Sequence, residues 1–247
     1  MWPLSAAQLL FRHPTLQSLS LHFASSEEET RTLDAIPNAS TRLEELNLLS
    51  CYISLDSLTS ILRLPQCLKR LTLGTPLSYS SSNWNSSSTQ YIAAMFPVYE
   101  TLECFRLIAA PASQARWARG PALGLQNFTA LKYFEITWTS LVEPIPGIRG
   151  APIRSPGFSK YRSMLPPKLE VLKISPKGWT HNLDKVLAEK AEVPSLRRIV
   201  LSMVGEDDVS ELRSSCQNVN VELMVIHESA TVSFHGAPLW KSPQQIC

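Results

Sequence analysis

Apolar residues at the first, fourth and sixth of six positions recur along the chain. In the segment "LEELNL" these positions hold Leu43, Leu46 and Leu48. The same spacing appears in six further segments, which are LQSLSL from Leu16, LKRLTL from Leu68, LECFRL from Leu102, LKYFEI from Leu131, LEVLKI from Leu169 and LRRIVL from Leu196. A looser copy has Val219, Val221 and Leu223. Because alternating apolar residues bury one face of an extended chain, each segment predicts a short β-strand.

The distances between these segments predict a repeat architecture. Their starts are 27, 25, 34, 29, 38 and 27 residues apart, and leucine-rich repeats run about 20 to 29 residues. Residues 43–53 fit the whole repeat consensus, with Cys51 at its Asn/Cys position, where we expect the side chain to satisfy buried backbone groups. A single repeat cannot bury its apolar face, so neighbours must stack. We therefore predict an α/β leucine-rich-repeat solenoid (horseshoe) with a parallel concave sheet and irregular helices on the convex side.

The segments between the strands predict those helices. "SLDSLTSILRLP" places Leu55, Leu58, Ile61 and Leu62 on one face, with Ser54 as the N-cap and Pro65 at the end of the helix. The same periodicity predicts helices in AAQLLFRHP, in TQYIAAMF with Ile92, Met95 and Phe96 inward, in HNLDKVLAEKAEVP with Leu183, Val186 and Leu187 inward, and in EDDVSELRSSC with Val209 and Leu212 inward.

Residues 1–247 are predicted to form a single domain of about seven to eight irregular repeats. Three stretches rich in Pro, Ser, Asn or Ala interrupt the pattern and predict loop insertions at 75–88, 109–123 and 137–168. Residues 216–247 are predicted to form a C-terminal cap of two strands, the first around Leu223 and the second with Val232 and Phe234.

The net charge and the cysteine content limit the possible partners and cellular compartments of this protein. A net charge of +2 gives no reason to expect nucleic acid as a partner, and no apolar stretch is long enough to span a membrane. The five cysteines have no paired short spacing, which favours reduced thiols in a cell. The first residues, "MWPLSAAQLLFRHP", lack the basic region of a secretory leader. We expect a cytoplasmic or nuclear protein.

No motif for catalysis is recognisable. The five histidines have no metal-ligand spacing, and phosphate-binding, nucleophile-elbow and dinucleotide-binding glycine motifs are absent from the sequence. We therefore expect no enzyme activity, no cofactor and no metal site.

The candidate site is the concave face, which carries the side chains between the inward leucines. Tyr and Arg are enriched among residues that dominate binding energy. The residues predicted to bind a partner on this face are Glu45, Asn47, Arg70, Arg106, Tyr133, Glu135, Lys173 and Arg198.

The chain resembles the cytosolic leucine-rich-repeat proteins of filamentous fungi of the F-box type. The likeness lies in "LEELNLLSCYISLDSLTSILRLPQCLKRLTLG", with "LPPKLEVLKI" and "SLRRIVL" fitting the same pattern. The resemblance implies a horseshoe that captures a substrate for ubiquitin ligation, while an N-terminal F-box docks onto a cullin-type ligase adaptor. No F-box precedes the first repeat here, so we expect adaptor binding only if one lies upstream.

Three functions remain open at this stage. The first is a non-enzymatic scaffold for protein–protein interaction, with the concave face as the substrate-recognition part of an F-box type receptor. The second is a regulator or inhibitor that binds a single enzyme or GTPase. The third is a secreted leucine-rich-repeat recognition protein, which occupied glycosylation sites and disulfides would support.

The repeat hypothesis predicts the effect of two kinds of substitution on thermal unfolding. Leu46→Asp or Leu172→Asp should unfold the array, because each places an unpaired charge among stacked leucines. Charge reversal at Arg106, which the pattern places on an exposed face, should leave the melting temperature unchanged.

Overall fold

Eight parallel strands form the central sheet of this protein. The computed structural model describes residues 2–3, 7–25, 37, 40–74, 92–109, 125–138, 165–175, 183, 187, 190–203 and 209–227. The sheet strands are β2 (Ser18–His22), β4 (Glu45–Leu49), β5 (Arg70–Gly74), β6 (Cys104–Ala109), β7 (Tyr133–Trp138), β8 (Val171–Ser175), β9 (Arg198–Met203) and β10 (Glu222–His227). The short strands β1 (Trp2–Pro3) and β3 (Ala24–Ser25) pair separately, also in parallel. The spatial order β10-β9-β8-β7-β6-β5-β4-β2 follows the chain, so each strand lies beside the next one in sequence.

The strand register confirms the predicted six-residue pattern. Leu46 is paired with Leu19 on one side and Leu71 on the other, and the row continues through Phe105, Phe134, Leu172 and Ile199. The last copy is displaced. Leu223 and Val225, rather than Val221 and Leu223, pair with Ile199 and Leu201, so the looser copy begins two residues later than predicted.

A repeated backbone contact fixes where each strand begins. The carbonyl of Glu44 accepts hydrogen bonds from the amides of both Lys69 and Arg70, each at 2.9 Å. The same double acceptance occurs at the carbonyls of Gln17, Lys69, Glu103, Lys132 and Glu170. One carbonyl accepts hydrogen bonds from two successive amides of the next repeat, and the chain turns at this point. The pairing register is therefore the same from one strand to the next.

Cys51 occupies the turn after β4, as expected. Its thiol donates to the carbonyls of Leu21 and Leu49, both at 3.3 Å, and the residue is buried. Burial raises the pKa of the Cys51 thiol, which keeps it protonated and able to donate. The side chain therefore ties the end of its own strand to the end of β2.

The predicted helices are partly confirmed. Helix α2 spans Leu55–Leu62, with the Ser54 hydroxyl accepting from the Ser57 amide at 3.1 Å and Leu58, Ile61 and Leu62 buried. Helix α1 covers Gln8–Phe11 and helix α3 covers Ser210–Asn218, with Leu212 buried. Residues 183 and 187 are helical and buried leucines, whereas Val186 lies outside the described residues. Three-residue 3₁₀ helices cover Phe96–Val98, Leu125–Asn127 and Lys190–Glu192.

The prediction for Phe96 is wrong. Residues 92–94 are helical and Met95 is buried, but Phe96 is 67% exposed and its ring stacks on Tyr99 with centroids 4.8 Å apart. Pro97 lies inside the 3₁₀ turn instead of ending an α-helix. The tighter turn has three residues per turn instead of 3.6, so it takes Phe96 off the buried face.

One face of the sheet packs on the main core. The buried leucines and phenylalanines of the strands form a single cluster with the buried apolar residues of the described helices, including Phe11, Ile61 and Leu212. The opposite face carries a separate, smaller cluster. In most all-parallel sheets helices cover both faces, whereas here the buried apolar residues of the described helices all belong to one side.

The predicted insertions lie mostly outside the described residues. Strand β6 includes residue 109 and β7 includes residues 137 and 138. Residues 165–168 are described and Leu165 is buried, so the third insertion is shorter than 137–168 at both ends. The predicted strand with Val232 and Phe234 also lies outside the described residues. Within them, no helix is long and apolar enough to cross a membrane.

Stacking of the strands should make inward leucines far more important to stability than exposed ones. Leu46 is fully buried and Leu9 is 76% exposed. We expect Leu46→Ala to lower the free energy of unfolding by about 2–5 kcal/mol, because it opens a cavity between repeats. The control Leu9→Ala should change it by no more than about 0.5 kcal/mol. Chemical denaturation of both variants tests this, and equal losses would contradict the stacked core.

Candidate functional site

The face opposite the main core carries two rows of polar and apolar side chains that run across the strands, which we call the polar face. The first row holds Ser18, Glu45, Arg70, Cys104, Tyr133, Val171, Arg198 and Glu222. The second row holds Ser20, Asn47, Thr72, Arg106, Glu135, Lys173, Val200 and Met224. All eight predicted binding residues lie in these two rows. Their common placement is confirmed, and their role in binding stays a prediction.

A buried carboxylate lies at the centre of the polar face. Glu135 is 2% exposed. Its Oε2 accepts hydrogen bonds from Arg106 Nε at 2.7 Å and from the Tyr133 hydroxyl at 3.0 Å. Its Oε1 lies 2.8 Å from Lys173 Nζ. One anion between two cations leaves this group of four side chains, the Glu135 cluster, with a net positive charge.

Strand register brings the Glu135 cluster together. Arg106, Glu135 and Lys173 are direct partners on β6, β7 and β8. Neighbouring strands lie about 4.8 Å apart, which is within reach of a side-chain ion pair. Tyr133 precedes Glu135 by two residues on β7, and the period of two places both on the same face. Four residues that are 67 positions apart at the extremes therefore meet through the repeat alone.

The pKa values of Arg106 and Tyr133 follow from this arrangement. Burial by itself would lower the pKa of Arg106, but the charge and hydrogen bond of Glu135 outweigh it and the pKa is raised. Burial raises the pKa of Tyr133, and the neighbouring Glu135 carboxylate raises it further. Both groups therefore keep their protons at neutral pH and act as donors to Glu135.

Apolar side chains flank the cluster. Cys104, Tyr133, Val171 and Val200 form the second buried cluster of the molecule. The hydroxyl of Ser202, two residues beyond Val200 on the same face, is buried without a hydrogen-bond partner. The centre of the polar face thus combines buried charge with buried apolar surface.

The expectation of an exposed row of binding residues is wrong for two of the eight. Tyr133 is 6% exposed and Glu135 is 2% exposed. The alternation of side chains predicts correctly which face a residue occupies. It does not predict how much solvent reaches that residue, because exposure depends on its neighbours along the row.

The ends of the polar face are more open than its centre. Asn47 Nδ2 donates to Ser20 Oγ at 3.1 Å and to Glu45 Oε1 at 3.0 Å. Glu45 also accepts from Arg70 Nε at 3.1 Å. At the opposite end Arg198 Nε donates to Glu222 Oε2 at 2.7 Å. The Ser20–Asn47, Glu45–Arg70 and Arg198–Glu222 pairs join adjacent strands, whereas Asn47 and Glu45 lie on the same strand. These contacts orient the side chains at a half-exposed surface.

A third row of charges was not predicted. It lies at the residue before each strand and alternates in sign along six repeats, with Glu44, Lys69, Glu103, Lys132, Glu170 and Arg197. Ion pairs join Glu44 to Lys69 at 3.0 Å and Glu103 to Lys132 at 2.9 Å, and Glu170 pairs with Arg197. The signal was present in the sequence, because from the segment LEELNL onwards the second position of the six-residue pattern changes sign from one copy to the next.

The described residues form neither a metal site nor a disulfide. Among them, no group of three or more His, Cys, Asp or Glu side chains could hold a metal ion. Cys51, Cys67, Cys104 and Cys216 are not joined in disulfide bonds. No protein-family model matches the chain, and no curated protein matches it.

The Glu135 cluster changes the expected effect of charge reversal at Arg106. Arg106→Glu would place a second carboxylate beside Glu135, whose own partner would be lost. We now expect a loss of about 3–5 kcal/mol of unfolding free energy, because the pair is largely buried. The control Arg70→Glu, where the pair is half-exposed, should cost about 1 kcal/mol. Denaturant titration measures both, and an unchanged midpoint for Arg106→Glu would contradict the buried pair.

Stability should also depend on pH through Tyr133. In the unfolded chain a tyrosine loses its proton near pH 10, whereas folded Tyr133 keeps it because its pKa is raised. The stabilising contribution of this hydroxyl is therefore complete below about pH 10 and is lost as the pH rises further, at about 1.4 kcal/mol per pH unit.

Tyr133→Phe removes both the hydroxyl and this dependence. The wild type should be the more stable protein at pH 8, and its advantage should shrink between about pH 10 and pH 11. Unfolding free energies of both proteins measured across this range test the prediction. A constant difference would show that Tyr133 titrates normally.

Proposed function

We propose that this chain is a leucine-rich-repeat solenoid that binds a protein partner through its polar face. Three features support the repeat assignment. The strands are parallel and follow chain order, a doubly accepting carbonyl precedes six of the eight strands, and Cys51 joins two strand ends at the consensus Asn/Cys position. The described helices contribute their buried side chains to one side, which leaves the other side for recognition.

The single observation that carries the binding proposal is the form of the polar face. Ordered hydrogen bonds and ion pairs link side chains in three groups of adjacent strands, which are β2, β4 and β5, then β6, β7 and β8, then β9 and β10. Side chains already fixed by neighbours lose little conformational freedom when a partner arrives, which favours affinity. A surface of this kind suits a folded protein with complementary polar groups.

The resemblance to fungal F-box proteins extends the proposal to a cellular role. In that role the solenoid would capture a substrate for ubiquitin ligation, and a segment with an L-P-x-x-[IVL] box would connect it to a cullin-type adaptor. The adaptor would then be a second partner at a separate place on the chain.

Regulation of a GTPase by a catalytic arginine has less support. Such an arginine must reach the partner's phosphates, and Arg106 is the arginine nearest the centre of the polar face. Its guanidinium instead contacts buried Glu135 at 2.7 Å, and its side chain is 19% exposed. We therefore retain binding, without catalysis by Arg106, as the proposed function.

A pair of matched variants tests the binding face. Ser18 on β2 and Ser214 on α3 are both exposed serines, on the polar face and on a helix respectively. We expect Ser18→Arg to abolish capture of proteins that the wild type retrieves from an extract of its source cells, because a long charged side chain blocks the face. Ser214→Arg should retrieve the same proteins as the wild type, as quantified by mass spectrometry. Equal retrieval by both variants would contradict the proposed face.

The ligase role needs its own experiment. The chain should be expressed with any upstream coding sequence of its gene that restores an F-box, and its co-purifying proteins identified. Cullin-adaptor components are expected with the extended chain and not with residues 1–247 alone. Their absence from the extended chain would refute the ligase role while leaving partner binding untouched.

A further inference from the structure

The third row of charges, which we call the charged row, has an order that its own ion pairs do not require. Ion pairs join its first residue to its second, its third to its fourth and its fifth to its sixth. Such a pair forms equally well whichever member comes first along the chain, because the attraction depends only on charge and distance. In all three pairs the acidic residue comes first, and the resulting order is Glu44, Lys69, Glu103, Lys132, Glu170 and Arg197.

This order is complementary to itself under a two-fold rotation. When a second copy of the charged row runs beside the first in the opposite direction, the first residue meets the sixth, the second meets the fifth and the third meets the fourth. Each meeting joins a carboxylate to a cation, and the meetings are Glu44 with Arg197, Lys69 with Glu170 and Glu103 with Lys132. A two-fold dimer brings the same surface of both subunits together, so the surface must be complementary to itself.

The charged row lies where a second copy can reach it. Its side chains are between 31% exposed, at Glu170, and 73% exposed, at Arg197. Each residue directly precedes a strand, so the row follows the amino-terminal edge of the sheet with about 4.8 Å between neighbours. The equivalent positions at its two ends, Gln17 and Val221, are uncharged. A two-fold axis along the sheet normal joins two such edges and leaves the polar face of both copies open.

The ion pairs within one chain need not break for a second copy to bind. Each pair uses one carboxylate oxygen, which is Oε1 in Glu44 and Oε2 in Glu103 and Glu170. A carboxylate accepts hydrogen bonds at both oxygens, and a lysine ammonium has three N–H donors. A second copy can therefore add a contact to side chains that their neighbours already orient, which lowers the loss of conformational freedom on binding.

The positions beside the charged row agree with the same arrangement. In all six repeats the three residues on either side of the row are described. One residue later along the chain, Glu45 would face Arg198 of the second copy, which again joins opposite charges. Two residues earlier than the row, the exposed Arg42 and Lys168 would face uncharged residues. Like charges therefore do not meet at these positions.

We propose that this chain forms a two-fold dimer through the charged row, with a second copy of itself as the occupant of the amino-terminal edge of the sheet. The proposal concerns a surface separate from the polar face and does not rest on partner binding. Exposed ion pairs are individually weak, so the dimer is held by their number and weakens with salt. Sedimentation should show a dimer at about 0.01 M NaCl, where the Debye length is about 30 Å, and a monomer at about 1 M, where it is about 3 Å.

Two double exchanges of charge form a matched pair of variants. Glu44→Lys with Lys69→Glu keeps an opposite-charge pair within the chain, but both new charges meet like charges at the far end of the row in the second copy. Glu103→Lys with Lys132→Glu also keeps its pair, and across the two-fold axis the new Lys still meets the new Glu. At low salt the first variant should weaken dimerisation by about tenfold or more. The second, with the same net charge, should dimerise like the wild type.

A fourfold exchange separates charge matching from damage to the fold. Adding Glu170→Lys and Arg197→Glu to the first variant restores opposite charges at every meeting, so it should restore dimerisation. A wild type that stays monomeric at low salt up to about 0.1 mM protein would overturn the proposal. So would a dimer that persists at about 1 M NaCl, a first variant that dimerises normally, or a fourfold variant no better than the first. None of these variants alters the eight predicted binding residues, so capture of another protein succeeds or fails independently.

Discussion

The structure depends on strands that cannot bury their apolar faces alone. Leu46 is fully buried only because β2 and β5 flank β4 and because Leu58, Ile61 and Leu62 of α2 belong to the same core. Each strand therefore covers apolar side chains of its neighbour, and the neighbour covers apolar side chains of that strand. The doubly accepting carbonyl that precedes six of the eight sheet strands transmits the register, so a local pairing error would displace the later strands.

The need to bury one face of every strand also determines which positions of the chain lie on the polar face. Because inward positions are fixed by the core, the positions between them are free to vary, and equivalent positions form rows across the sheet. In the second row the sequence places Arg106, Glu135 and Lys173 side by side, which makes a buried ionic cluster from residues far apart in the chain. Such a cluster contributes little net stability when intact, but it is costly to break, so it favours one arrangement of the face over others. The end of the polar face near β2 is more open, and hydrogen bonds order its polar side chains.

Much of the fold could be predicted from the sequence, because the repeated spacing of leucines indicates which residues of each strand are buried. The strands, helix α2 with its Ser54 cap and the role of Cys51 all follow from such local signals. The buried position of Phe96 and the register of the last strand were predicted wrongly. The spacing of apolar residues indicates neither a 3₁₀ turn nor a two-residue shift in strand pairing. Placement of the eight predicted binding residues on one face was predictable. The burial of Tyr133 and Glu135 was not, because it depends on packing between rows.

Hydrogen exchange of the chain, alone and with its captured partner, tests the central claim most directly. Binding at the open end of the polar face predicts that added protection concentrates in β2 and β4, while amides of α2 and α3 exchange as before. Added protection confined to those helices, with β2 and β4 unchanged, would contradict the assignment of the polar face as the site of recognition.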